Sequence, residues 1–268
     1  MIPKIIHYCW YGNKEKPVKF QRYMDTWKKI GGGGYEVIEW NETNCDLRCN
    51  SYIRKAVENK NWAFVSDYFR LRALYEFGGI YLDTDVEIYK SFDDLLSKKG
   101  FVGYMHDALI GTAVLGFEKK NLFIKKLLDL YDNAEWIEGK YDLFRIKFEN
   151  GDSYLCNANN SVFTWAVFHF YDNFKLNGNY QETADFSVFP KTEFEIGTFW
   201  GKRSHCVHRC ESSWKTKNNK KELYKIVKNA VKYIPVIHMD AIIRNISYEK
   251  HMQKSVFYER YLHDTASA

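Results

Sequence analysis

Two aspartates two residues apart, Asp83 and Asp85, are the side chains of this sequence best suited to chemistry. If both still followed the period of a strand they would share one face at close range, where like charges repel unless a cation or a shared proton intervenes. Hard oxygen ligands at a strand end suit Mg²⁺ or Mn²⁺, an ion that keeps several waters while it bridges to substrate phosphates. Such a corner outlines a site for a nucleotide diphosphate. The rival is an ordinary solvated turn, because D-x-D is a common tripeptide. Upstream, Asp67 and Arg70 stand at i and i+3 on one helical face, either as part of that site or as a surface pair contributing about 0.2–0.5 kcal/mol. Arg72 falls on a different side. A third set, Cys206, His208 and Cys210, has metal-ligand residue types, but C-x-H-x-C on one strand sets its outer thiols too far apart for a zinc tetrahedron.

The elements that must position these groups can be read from spacing. Phe64, Tyr68, Leu71 and Tyr75 recur on one helical stripe, so a helix runs through Asp67 and Arg70. Gly78 and Gly79 stop it, since glycine takes a left-handed conformation without a Cβ penalty. Ile80-Tyr81-Leu82 then forms a short apolar strand ending in Asp83-Thr84-Asp85. Lys4 to Tyr8 reads as a first strand, buried and central in a parallel sheet. Phe20 to Ile30 reads as a helix, Tyr35 to Trp40 as a second strand and Tyr52 to Asn59 as a further helix. After the aspartates, Val86 to Tyr89 continues as a strand and Phe92 to Leu96 as a helical turn. Phe101 to Tyr104 and Ala113 to Phe117 are strands, Leu122 to Tyr131 is an amphipathic helix, and Phe186 to Pro190 is a late strand. The glycine run Gly31 to Gly34 lacks the G-K-[ST] ending and precedes a strand, which rejects a nucleoside-triphosphate loop.

Length and charge set the outer bounds. A chain of 268 residues fits one α/β domain with decoration. Its net charge of +5 is carried by the tail, where residues 215–260 hold eleven Lys and Arg against four Asp and Glu. Leu223, Tyr224, Ile226, Val227, Ala230 and Val231 at helical spacing with lysines opposite make an amphipathic basic helix, either a solvated face or one that lies against anionic lipid or a polyanionic substrate. No apolar run is long enough to span a membrane. The opening MIPKIIHYCW lacks the features of a signal peptide, so the expected location is cytoplasmic. Six dispersed cysteines are too sparse for a disulfide scaffold and are expected to be reduced.

The stretch SDYFRLRALYEFGGIYLDTDV resembles the S-D-x-x-R-x-x-x-L-x-x-x-G-G-x-Y-x-D-x-D block of sugar-nucleotide glycosyltransferases. The resemblance is to glycosyltransferase family 32, which groups bacterial capsular and surface polysaccharide transferases with the yeast initiating mannosyltransferase. The large clostridial glucosylating toxins share the block. IPKIIHYCW is similar to the opening of the same family, Asn41-Glu42 to the W-N-E after its second strand, and the segment His205 to Trp214 to its A-x-H-x-x-x-x-S-W ending. The family's T-G-P-like signature near residues 157–165 is not found, which leaves the donor-sugar contacts, Thr112 among the candidates, unassigned.

The resemblance implies a GT-A type single Rossmann-like α/β domain with a mostly parallel central sheet and helical additions. Residues 1–214 would form the catalytic domain, with residues 135–187 carrying acceptor specificity, and residues 215–268 a basic helical extension. By the same resemblance Trp10 stacks on the base, and Asp67 and Arg70 fix ribose and donor sugar. Asp83 binds sugar hydroxyls and helps orient an ion, Asp85 and His208 hold Mn²⁺ or Mg²⁺ on the two phosphates, and Ser213 and Trp214 close over them. His7 is expected to be structural. The implied reaction is retaining transfer of a hexose from a nucleotide-diphosphate sugar, a UDP-sugar foremost, to a saccharide acceptor, free or lipid-linked, with peripheral membrane contact through residues 215–260. Two competitors stand beside it. Tyr81 to Val86 also looks like the h-h-D-x-D-x-[TV] strand end of haloacid-dehalogenase phosphatases, with Asp83 as nucleophile, and a non-catalytic sugar-binding module is the other.

Overall fold

The apolar run behind Pro3 forms β1 (Ile5–Cys9), which pairs in parallel with β2 (Glu36–Trp40) on one side and with β3 (Gly79–Leu82) on the other. In this computed structural model the described residues are 1–30, 34–196, 204–211 and 239–266. Seven strands make the main sheet, in the order β10-β11-β5-β6-β3-β1-β2. Here β5 (Gly100–His106) and β6 (Leu109–Phe117) form a long hairpin, β10 is Gln181–Glu182 and β11 is Ser187–Phe189. β6 runs against both of its neighbours and β10 against β11, while the other pairings are parallel. Five of the seven strands therefore point one way, the mostly parallel sheet of an α/β fold.

Alternation along the strands sends side chains to two cores. On one face Ile80 and Leu82 pack with Ile6, Tyr8, Trp27, Val114 and Phe194. On the other, Tyr81, Val102 and Leu115 pack beneath α2 (Ser51–Glu58), α3 (Trp62–Phe77) and α4 (Leu122–Asp132). α1 (Val18–Ile30) supplies Trp27, whose indole N–H donates to the Val86 carbonyl at 2.8 Å. The helix and glycine stop expected around Asp67 are found, but α3 buries far more than one stripe. Phe64, Val65, Asp67, Tyr68, Phe69, Arg70, Leu71, Ala73 and Leu74 are all buried.

Gly79 has φ +111°, and a Cβ there would lie 2.6 Å from the Ile5 carbonyl oxygen and 3.0 Å from His7 Nε2. A side chain would thus collide with the backbone of the neighbouring strand as well as strain the turn. His7 itself is fully buried; its Nε2 lies 2.7 Å from the Gly78 carbonyl and its Nδ1 accepts from the Trp40 indole at 3.1 Å. Burial lowers its pKa, against the Gly78 carbonyl, which raises it. The neutral ring braces β1 against the glycine turn, which is the structural role the sequence suggests.

Residues 135–187 contain a second sheet, β7 (Glu135–Trp136), β8 (Phe144–Lys147) and β9 (Ser153–Cys156), followed by α5 (Asn159–Phe170). A ribbon of two strands, β4 (Val86–Ile88) and β12 (Cys206–His208), stands apart from the main sheet. Between β11 and β12 lies the one-turn α6 (Lys191–Phe194). Two helices, α7 (Met239–Met252) and α8 (Tyr258–Ala266), close the described chain. Asp264 accepts from the Leu176 N–H at 2.9 Å, and Phe257 is buried against Trp165. Phe257 and Asp264 thus pack this part of the chain onto the body of the molecule. The basic stretch at residues 223–231 lies outside the described residues.

Candidate active site

Asp83 and Asp85 come together through a turn. The Asp83 N–H still donates to the Ala113 carbonyl at 2.8 Å as the last rung on β6, and the Val86 N–H then closes a turn onto the Asp83 carbonyl at 3.0 Å. The pair is brought close by that reversal, whereas strand alternation is the arrangement the sequence suggests. Reversal also starts β4, and β4 recruits the third member. In the β4–β12 ribbon Val86 is opposite His208, so an imidazole from far along the chain arrives beside Asp85. His208 Nε2 is 3.3 Å from Asp85 Oδ1. The ligand atoms of Asp83, Asp85 and His208 all lie within 4.8 Å of one another.

Each member is held from behind. The second oxygen of Asp85 accepts the Glu211 N–H at 2.6 Å, and the Arg209 N–H donates to the Asp85 carbonyl at 2.9 Å. Burial works against the Asp85 charge, yet His208 and the Glu211 amide hold its carboxyl below the usual range. His208 turns its Nδ1 to Glu195, 3.0 Å from Oε1 and 3.1 Å from Oε2. Burial opposes a charge on this ring as well, but Cys210, Glu195 and Asp85 around it raise its pKa well above the ordinary value. Two carboxylates and an imidazole with Nε2 directed inward form the oxygen and nitrogen donor set that suits Mg²⁺ or Mn²⁺. The carboxylate behind Nδ1 matches the backing that metal-bound histidines usually have.

Asp83 is braced by α3. Its Oδ1 accepts the Tyr81 hydroxyl at 3.0 Å and lies 3.4 Å from Arg70 Nη1. Burial pushes its pKa up, as does Asp85, while Arg70 and His208 pull it down. Arg70 is only 6 % exposed, and Asp67 8 %. The guanidinium bonds Asp67 at 2.9 Å and donates to the Thr112 carbonyl at 2.8 Å, above the Tyr81 ring. The surface-pair alternative for Asp67 and Arg70 is thereby removed; this is a buried pair beneath the motif. Burial pushes Asp67 up to about 6 despite Arg70. Arg72, by contrast, is half-exposed and pairs with Glu76 at 2.8 Å.

Trp10 follows β1, at the sheet end where Asp83 follows β3, because His7 and Tyr81 are partners in the ladder. Its indole N–H donates to the Lys14 carbonyl at 2.6 Å, and Lys16 Nζ lies 5.7 Å from the ring. Thr112 is buried, with its hydroxyl 3.4 Å from Asn160 Oδ1. Ser213 and Trp214 lie outside the described residues. Cys206 is fully buried with its thiol against the Phe194 carbonyl at 3.5 Å, so Cys206, His208 and Cys210 form no common metal site. The residue that sequence reasoning missed is Glu195. Nothing in Lys191-Thr192-Glu193-Phe194-Glu195 distinguishes it, since its partners are distant in sequence.

Part of the chain is similar to known proteins. Residues 17–102 match the family model described as a glycosyltransferase sugar-binding region containing a DXD motif. The matched segment holds Asp67, Arg70, Asp83 and Asp85. Among curated proteins, Uncharacterized protein At4g19900 of Arabidopsis thaliana is 38% identical over 138 residues, which is 48% of this chain and 20% of that protein. Inositol phosphoceramide mannosyltransferase 3 of Schizosaccharomyces pombe is 29% identical over 131 residues, 47% of this chain and 36% of that protein. The matched part is thus about a fifth to a third of the length of these relatives. Among solved structures, PaToxG glycosyltransferase has a TM-score of 0.45 and 22% identity, covering 64% of this chain and 70% of that one. A glycosyltransferase involved in glycosylation of the major capsid of PBCV-1 has a TM-score of 0.40 and 14% identity, covering 79% and 95%.

Proposed function

We propose that this chain is a metal-dependent glycosyltransferase of GT-A type that moves a hexose from a nucleotide-diphosphate sugar, a UDP-sugar foremost, to a saccharide acceptor. The observation that carries the reading is the convergence of Asp83, Asp85 and His208 within 4.8 Å, at the end of a strand where ligands bind in open α/β sheets. When bound, a Mn²⁺ or Mg²⁺ ion supplies positive charge beside the departing diphosphate. Asp85 and His208 would hold that ion. Asp83, fixed by Tyr81 and Arg70, would orient its free oxygen toward the ion and the sugar hydroxyls. With its donors turned to Asp67, Asp83 and the Thr112 carbonyl, Arg70 would act chiefly by keeping Asp83 in place, and Trp10 would offer its ring to the base.

Retention of configuration is part of the proposal, with the acceptor hydroxyl attacking from the face the diphosphate leaves. The acceptor, a growing surface or capsular saccharide of a bacterial type or a related lipid-linked glycan, would be selected by residues 135–187. Among the described residues no helix is long and apolar enough to cross a membrane, and peripheral contact would fall to the basic residues of 215–260. Asp83 as a phosphatase nucleophile is the reading this proposal competes with; its Oδ1 is engaged by Tyr81 and Arg70, and turnover of phosphomonoesters decides between the two.

The test is hydrolysis of a panel of sugar nucleotides with Mn²⁺, in the intact protein and in Asp85→Asn. The intact protein is expected to release the nucleotide from one donor in a metal-dependent way. Asp85→Asn is expected to lose about 10²–10³-fold, the range seen when one preorganised electrostatic contact is removed, with an unchanged circular dichroism spectrum. Full activity in that variant, or release of phosphate from simple phosphomonoesters by the intact protein, overturns the reading.

A further inference from the structure

His208 can serve a cation at Asp85 only if its ring is turned and protonated one way, with Nδ1 carrying the proton and Nε2 free. A network from outside the matched family segment meets that need. Glu195 is buried, 4 % exposed, and both of its oxygens face Nδ1 of His208. Its Oε1 also accepts the Tyr248 hydroxyl and lies 3.5 Å from the Cys210 thiol, which in turn is 3.2 Å from the Tyr248 oxygen. Backbone contacts set the spacing between the two residues. The His208 N–H donates to the Glu195 carbonyl at 3.1 Å, and Arg244 Nη1 donates to the carbonyls of both Glu195, at 3.2 Å, and His208. Tyr248 and Arg244 both belong to α7, one turn apart on the same side of that helix.

We propose that Glu195, clamped by Tyr248 and Arg244 of α7, is the positioning residue that presents Nε2 of His208 to the divalent cation, so that α7 is a working part of the active site. This rests on the metal reading above. A carboxylate behind a ligating imidazole fixes its tautomer, aims the ring and raises its basicity, and losing such a partner commonly weakens metal binding 10–100-fold. Arg244 is placed to hold the two backbones in register; Tyr248 fixes the rotamer of the carboxylate. Glu195 touches neither sugar nor phosphate in this role, and its action passes through His208.

The experiment is calorimetric titration of the whole 268-residue chain with Mn²⁺ alone, so that the readout is affinity, independent of turnover. Glu195→Ala is expected to bind Mn²⁺ about 10–100-fold more weakly than the intact protein. Glu195→Gln keeps an acceptor oxygen for Nδ1–H and is expected to recover most of that loss. Tyr248→Phe removes one hydrogen bond to the carboxylate and is expected to lose about threefold to tenfold. Equal losses in the Ala and Gln variants, or Mn²⁺ binding by Glu195→Ala at full strength, overturn the positioning role. Should Glu195→Ala not fold, unchanged affinity in Tyr248→Phe overturns it instead. Asp85→Asn separates this idea from its foundation: if that variant binds Mn²⁺ as the intact protein does, the metal reading itself fails. If it loses binding while Glu195→Ala does not, only the positioning role fails.

Discussion

The two aspartates of the motif stand two residues apart, yet they are held by different kinds of structure. Asp83 belongs to a local unit in which α3, the glycine turn and β3 follow one another, and its supports, Tyr81, Arg70 and through Arg70 Asp67, come from that unit. Asp85 is held by residues from far along the chain, His208 and the Glu211 amide, delivered by the β4–β12 ribbon. The first corner is therefore built mainly from one contiguous stretch of chain, completed by the Ala113 and Thr112 carbonyls of β6. The second depends on late segments docking correctly, and α7 in turn fixes the geometry of His208. Disrupting the first should cost stability, and disrupting the second should cost metal binding and turnover with little loss of fold.

The largest expected effect is at the first corner. Arg70→Ala leaves Asp67 buried and Asp83 half-buried without their cation, and removing one partner of a buried pair costs about 3–5 kcal/mol. The sign of its pH dependence follows from burial. Asp67 already has its pKa raised to about 6 with Arg70 present, and without Arg70 it rises further. A carboxyl whose folded pKa exceeds its unfolded value contributes stability that is fully present below the unfolded pKa and is lost as pH climbs through the folded one. The variant's deficit should accordingly be greatest near neutral pH and shrink on acidification toward pH 4. Urea unfolding at a series of pH values measures this; a deficit that grows on acidification would contradict a buried, cation-dependent Asp67.

A smaller effect is expected at Gly79. An alanine there must hold φ near +111° and meet the Ile5 carbonyl at 2.6 Å, strain of the order of 1–3 kcal/mol. Because the residue begins β3, the disturbance should also reach Asp83, so a loss of unfolding midpoint should be accompanied by weaker donor hydrolysis. An alanine variant with an unchanged midpoint would mean that the turn is not the rigid joint described here.

The same contrast explains what the sequence reveals. The local corner is legible because its information is local. A stripe of apolar residues, two glycines and an apolar tripeptide mark α3, its end and β3, and Asp67, Arg70, Asp83 and Asp85 ride on them. β1, β2 and α4 are legible for the same reason, β1 as an apolar run, β2 as a short strand after the glycine run and α4 as an amphipathic helix. Depth is less legible. The i,i+3 spacing of Asp67 and Arg70 is equally compatible with a solvated pair, and the partners that meet it inside the fold, the Thr112 carbonyl of β6 and the Asn159 backbone N–H of α5, are distant in sequence. α5 itself is hidden because it is apolar on nearly every side and its N-cap, Ala158, offers no side-chain bond. Glu195 has no signature, since a carboxylate that supports a histidine thirteen residues on and a tyrosine in α7 is defined by contacts that no sequence period encodes.

The smallest predicted effect tests whether burial, and not residue type, separates the two arginines of α3. Arg72 and Arg70 are two residues apart on one helix and each pairs with a carboxylate at 2.8 to 2.9 Å. The side chains of Arg72 and Glu76 are each 39% exposed, so water screens the pair and it contributes about 0.3–0.5 kcal/mol, as exposed i,i+4 helix pairs do. Arg72→Ala should therefore shift the urea midpoint by no more than that, leave donor hydrolysis intact and show little dependence on pH. A loss approaching that of Arg70→Ala would mean that the helix, and not the buried charge cluster beneath Asp83, carries the sensitivity, and the distinction between the two corners would then have to be redrawn.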